Sequence, residues 1–252
     1  MRHHAQKIGG LLVLAAGLLA MAGCITPPQP AVAPADRPSA GAASHDTNRW
    51  WQTRFVFDWP ERSTPAWHLD LLVAHRVVAP VLEKHGEAIS LWRFHRRAVR
   101  DETGHQFSLI FYADAGISEK IFNAMQAAPE VTGLQSSGRL KKMSMGPTGA
   151  NGGHHIEDTS DPRWSAEVQK SWPWFIMGVS RMWLALADEK AAASGGEHRP
   201  TTLPDSINFY KELNQTITQV WQQEGAHALL HHLNGIFGYE PLVIREERLI
   251  RF

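Results

Sequence analysis

Apolar and polar positions along this chain change their spacing several times, and each change marks an element. Over residues 49–58 (RWWQTRFVFD) aromatic and polar residues alternate, which predicts a half-buried strand ending at Trp59-Pro60. Thr64-Pro65 has the form of an N-cap followed by proline in the first turn, opening a helix towards Gly86 that Pro80 kinks or interrupts. Residues 89–100 (ISLWRFHRRAVR) and 105–114 (HQFSLIFYAD) read as two strands, and Asp101-Glu102-Thr103-Gly104 between them has hairpin-turn chemistry. A second helix is expected from Ser118 to about Ala127, and a fourth strand over 139–145.

The resulting order, β-α-β-β-α-β over 49–146, predicts an α+β fold, a ferredoxin-like sandwich followed by a helical extension over 147–252. The Gly-rich run 146–153 separates the two halves. Asp161-Pro162 is a helix-start signal, and Ser171-Trp172-Pro173 restarts a helix that continues to about Ala193. Asp205 or Ser206 should cap the next helix, which carries Ile207, Tyr210, Leu213, Ile217, Val220 and Trp221 on one side; Gly225 is a candidate bend and Asn234-Gly235 the expected end. Residues 239–252 suit either a strand or an extended tail.

Ahead of this body the pattern is of another kind. Arg2 and Lys7 precede an apolar run over 8–21, and the small residues Ala22 and Gly23 lead to Cys24, the single cysteine of the chain. The run is shorter than the roughly 20 apolar residues a spanning helix needs, so it reads as an export leader over 1–23. Leu19-Ala20-Met21-Ala22-Gly23-Cys24 resembles the lipobox of bacterial lipoproteins. That resemblance implies cleavage before Cys24, diacylglyceryl and palmitate attachment there, and anchoring to the membrane through the N-terminal lipid. Ile25 stands where Asp would retain such a lipoprotein in the inner membrane, which implies the outer membrane with the body facing the periplasm. The competing account is an ordinary secretory leader whose cleavage site happens to hold a cysteine. Residues 24–48, rich in Pro, Ala and Ser, then form a disordered tether.

The 25 Lys and Arg balance 25 Asp and Glu, and loss of Arg2 and Lys7 with the leader brings the mature chain to about −2. That argues against a nucleic-acid partner, which calls for a basic surplus. With Cys24 consumed by lipid, no disulfide, thiolate metal site or cysteine nucleophile remains.

Four constellations carry candidate chemistry. Alternation in the second strand puts Arg93, His95 and Arg97 on one face, suited to an anion such as phosphate, carboxylate or a sulfated sugar, with Trp92, Phe94, Arg96 and Arg100 on the other. The competing account is a solvated sheet face neutralised by Asp101, Glu102 or acids of the helices. Glu224, His227 and His231 share a helical face beside His232 and could surround zinc, with His154, His155, Glu157 and Asp158 as distant additions. The run lacks the His-Glu-x-x-His order that builds in a general base, so no cofactor is expected; zinc is the one this helix would take. Ser180 and Ser144 sit in near misses of Gly-x-Ser-x-Gly. Finally, Trp172, Trp174, Phe175, Ile176, Met177, Met182 and Trp183 make one helix apolar nearly all round, to be buried under the sheet or, failing that, offered to a partner.

Trp50-Trp51 on the first strand, a helix with Leu71-Leu72 and Pro80, and Trp92-Arg93-Phe94 followed by His105-Gln106-Phe107-Ser108-Leu109 resemble the layout of the thiopeptide-type bacteriocin biosynthesis domain, found at the C-terminus of lantibiotic dehydratases. The likeness covers residues 49–145. Gln106 and Ser108 replace that family's basic residues after its histidine, so the resemblance implies fold alone and no catalytic residue. The expected function is a lipid-anchored, non-catalytic binding or assembly component of the envelope, with a partner protein as preferred ligand and an anionic envelope molecule next. The alternative is a metal-assisted periplasmic hydrolase built on His227 and His231.

Overall fold

The alternation in RWWQTRFVF becomes strand β1, Arg49–Phe57. It is followed in the chain by β2 (Leu91–Ala98), β3 (His105–Ala113) and β4 (Leu140–Pro147). The four strands form one antiparallel sheet in the order β2-β3-β1-β4. The chain is therefore a mixed α+β protein, seen here in a computed structural model that describes residues 48–194 and 200–241. The leader, Cys24, the tether up to residue 47 and the stretch 242–252 lie outside the described residues. All of β3 is buried, although HQFSLIFYA carries His105, Gln106 and Ser108 among its apolar residues. The β2–β3 hairpin turns at Asp101, whose carboxylate accepts from the Thr103 and Gly104 amides at 2.9 and 3.1 Å.

Two helices and a π-helical turn fill the first crossover: α1 (Trp67–Val73), the turn Ala74–Val78 and α2 (Ala79–His85). Thr64 does not cap α1. The helix starts at Trp67 with no side-chain cap, and backbone bonds from Trp67 N to Pro65 O and Leu69 N to Ala66 O serve the first turn instead. Pro80 cannot donate to the preceding turn, and the helix widens there to π geometry, with Ala79 N reaching back to Ala74 O. The second crossover holds α3 (Ala115–Gln126), capped by Asp114, and a short α4 (Pro129–Ser136) that the pattern does not announce.

The remaining elements are α5 (Ala166–Ala193), α6 (Leu203–Gly225), a π-helical turn Ala226–His231 and α7 (His232–Ile236). Pro173 does not restart a helix as expected; α5 runs through it. Proline removes the amide that would serve the Gln169 carbonyl, and Ser160 Oγ donates to that carbonyl at 2.7 Å in its place. The cap of α6 is Thr202, three residues before Asp205, which pairs with it side chain to side chain at 2.6 Å and lends its amide to Thr202 Oγ1. Tyr210, Leu213 and Ile217 are buried as their spacing predicts, whereas Trp221 is exposed and its ring lies over Gly225, where an added Cβ would meet it at 2.8 Å. Beyond Gly225 the axis continues in π geometry, and α7 ends at Phe237 and Gly238 rather than at Asn234-Gly235.

Strand register sorts side chains to the two sides of the sheet. Thr53, Phe55 and Phe57 share one face with Phe107, Leu109 and Phe111 and with Trp92, Phe94 and Arg96. Together with Leu69, Leu72, Ile121 and Met125 from the helices they make the main core. The opposite face is closed at one end by the loop after β4, where Trp50 Nε1 donates to the His155 and Ile156 carbonyls and Tyr112 to His154 O. Gly153 permits this: its φ is +75°, and a Cβ would stand 2.2 Å from Thr148 O. Helix α5 runs along the outer edge of β2. Ser180 Oγ accepts from the Phe94 amide at 3.1 Å, Trp183 packs edge-on to Phe94, and Trp172 reaches Arg93 on the other face.

Candidate functional site

The face of the sheet away from the main core is polar and carries no acid in its strands. Arg93, His95 and Arg97 of β2 stand beside Ile110, Ser108 and Gln106 of β3. Next come Gln52, Arg54 and Val56 of β1, and then Gly146, Ser144 and Lys142 of β4. A hydrogen-bonded floor runs through the middle: Arg54 Nε donates to Gln52 Oε1 at 2.9 Å, and the Gln52 and Gln106 amides both donate to Ser108 Oγ at 3.1 and 2.9 Å. The alternation in β2 thus does place Arg93, His95 and Arg97 together, but their charges differ in status.

Arg97 is committed to its neighbour. Both of its terminal nitrogens bond the Asp101 carboxylate, which holds that acid well below the usual carboxylate range and raises the arginine further. For this residue the neutralised account of the face is the right one. His95 is pushed down from its ordinary value first by partial burial and then by the charges of Arg93 and Arg97, which favours its neutral form. Arg93 is different again. It is half-buried, its Nε is sealed from solvent with no hydrogen-bond partner, and burial draws its pKa down to about 10. Its neighbour is aromatic: the guanidinium lies 4.9 Å from the Trp172 ring centroid, and Trp164 packs against that indole at 5.4 Å. No ion pair or hydrogen bond to Arg93 is made by the described residues.

The covered face holds the counterpart. Arg96 Nε bonds Asp70 Oδ2 at 3.0 Å, its NH2 bonds Trp67 O at 2.9 Å, and the indoles of Trp67 and Trp183 flank it at 5.0 and 4.9 Å. Asp70 also faces His105 Nε2 at 2.8 Å, a close contact whose alignment falls short of a hydrogen bond; both side chains are fully buried. Asp70 carries no signal in sequence beyond an acid within an apolar helix.

The histidine helix gathers rings but no metal-binding set. His227 and His231 stack at 5.2 Å, His232 stands edge-on to both, and Tyr239 packs on His231. Among the described residues no group of three or more His, Cys, Asp or Glu side chains is arranged to hold a metal ion, and Glu224 is exposed. His154 meets Arg49 at 3.1 Å, and Asp158 accepts from the His155 amide to close a turn. Ser180 is spent on the edge of β2 and on Ile176 O, not poised as a nucleophile.

A cleft of about 690 Å³ opens between the first π-helical turn and α5, lined by His75, Arg76, Glu83, Trp92, Leu184 and Asp188 among others. His75 spends both ring nitrogens inside the protein, Nδ1 with Tyr210 OH at 2.6 Å and Nε2 with Asp188 Oδ1 at 2.7 Å. It ties three helices together and keeps no ring nitrogen for a ligand.

The aromatic run on α5 divides between the two environments the sequence allowed. Pro173, Met177 and Ser180 are buried, whereas Trp174 and Phe175 are 53% and 49% exposed, and Val168 and Val179 are exposed with them. No described helix is long and apolar enough to cross a membrane.

No family model and no curated protein matches this chain. Among solved structures, a protein described as a dimeric ferredoxin-like protein of unknown function, from Thermobifida fusca, is similar over 40% of this chain and 90% of that one, at 14% identity and a TM-score of 0.22. A likeness that distant carries no argument about function.

Proposed function

We propose that this chain is a lipid-anchored, non-catalytic binding component of the bacterial envelope, held at the outer membrane through Cys24 with its body in the periplasm. The body is read as a ferredoxin-like unit with a helical extension; the strand order β2-β3-β1-β4 and the two helical crossovers support that reading. The observation that carries the binding role is the uncovered face of α5. Residues 171–180 hold no charge, and Trp174, Phe175 and Val179 stand in solvent, a contiguous apolar surface that a monomer would otherwise hide. Exposed Lys170 and Arg181 bracket it. That combination suits a partner protein with an apolar centre and an acidic rim.

The test is site-specific photocrosslinking in intact cells, with the probe at Phe175 and a control probe at exposed Glu119 on α3. The reading expects a discrete adduct from position 175, absent at 119 and weakened by Arg181→Glu. No adduct at 175, or an adduct only with a second copy of the chain, would overturn the partner. Anchoring is tested separately: Cys24→Ala should abolish palmitate labelling and move the protein into the soluble fraction, and retention of label would overturn Cys24 as the attachment site.

A further inference from the structure

We propose that the guanidinium of Arg93 is a binding site for an oxyanion, a carboxylate or phosphate group of a small envelope molecule, on the sheet face opposite the main core. The site shares Trp172 with the α5 segment that carries the proposed docking face, and its envelope setting rests on that reading. Arg93 is a cation carried into a sheltered position with an aromatic ring for company and no acid within bonding reach among the described residues. A half-buried charge of this kind is costly unless an opposite charge joins it. Trp172 satisfies the flat face of the guanidinium but none of its N–H donors; Nε is sealed without an acceptor, and the terminal nitrogens, which bond no described residue, are the donors left for a ligand. A planar donor fork without an acceptor is the geometry that carboxylates and phosphates complete, by two parallel bonds.

The surroundings favour an anion further. The strand positions of this face include Arg54, Arg93, His95, Arg97 and Lys142 and not one Asp or Glu, and Asp101 in the hairpin turn is engaged by Arg97. Arg54 lies two strands across from Arg93 and two residues along, ~12 Å away, with its Nε held by Gln52, so a ligand bearing a second negative group has a second cation to meet. Lysine in place of Arg93 would keep the charge and lose the fork.

The experiment follows the Arg93 Nε–Hε resonance and tryptophan fluorescence of the full soluble body during titration with inorganic phosphate in one arm and trigalacturonate in the other, at constant ionic strength. At least one arm should move the Arg93 resonance saturably, raise the titration midpoint of His95, and quench Trp172. Arg93→Gln should weaken the response at least ~10-fold, and Arg93→Lys should weaken it less. Saturation by phosphate alone assigns the site to phosphate groups, and by trigalacturonate alone to carboxylated saccharides. An Arg93 resonance unmoved in both arms overturns the site, and this reading is made on the wild-type protein and does not depend on any variant folding. An unchanged fluorescence response in a folded Arg93→Gln variant overturns it equally.

Discussion

Arg93 and Arg96 sit three residues apart on β2, face opposite sides of the sheet, and are both flanked by tryptophan. On the covered side Arg96 has a buried carboxylate, a backbone carbonyl and two indoles, so each part of its charge is met within the chain. On the open side Arg93 has an indole and no acceptor. Shelter alone therefore does not tell a structural arginine from a receptive one; what separates them is whether the counter-charge is supplied from within. Helix α5 shows the same division, with one side closing the sheet and the other left to solvent.

The largest effect should come from breaking the compensated side. Asp70→Ala leaves Arg96 and His105 without the buried acid they share, and about 3–5 kcal/mol of stability should be lost. A urea unfolding curve should show the midpoint fall with little change in slope. Next is Ser180→Ala, which strips the acceptor from the Phe94 amide at the sheltered edge of β2 and should cost about 1–3 kcal/mol. If the midpoint does not move, α5 does not seal that edge.

The uncompensated side should respond to pH. In the unfolded chain His95 titrates near 6.5, and in the fold its value is lower, so between the two the unfolded state binds more protons. Stability should therefore rise with pH across that window and fall on acidification through it. His68, lowered by burial and by Lys211, adds in the same direction. Unfolding midpoints at about pH 7.5 and about pH 5.5 should differ, and His95→Gln should flatten part of the difference. A small change in stability is expected for Asp101→Ala, which loses an exposed ion pair and two exposed turn hydrogen bonds. It should release Arg97 and so strengthen any anion response at Arg93; an unaltered response would show the two cations to be independent.

Period-two alternation in 49–58 and 89–100 was enough to place β1 and β2 and to sort Arg93, His95 and Arg97 from Arg96. The helix boundaries were less legible because their termini are served by groups from elsewhere. Ser160 lets α5 continue through Pro173, and backbone turns start α1 without Thr64. The short α4 opens with Pro129 and contains Gly133, which leaves too little periodicity to read. The status of each cation depended on partners remote in sequence: Asp70 for Arg96, and Trp172 for Arg93. Spacing within a strand cannot reveal such pairs. Only the Arg97–Asp101 pair, local to one hairpin, was within its reach.

The placement of α5 along β2 has a further consequence for assembly. One margin of the sheet is closed, with the Phe94 amide already taken by Ser180, so an incoming strand finds no ladder to join there. The other margin is β4, to which no described strand adds on its outer side, and it presents the exposed Lys141 and Lys142. Among the described residues growth of the sheet by strand addition is therefore open at β4 alone, and the incoming strand must tolerate, or neutralise, Lys142, since Lys141 is already paired with Asp58 at 2.7 Å.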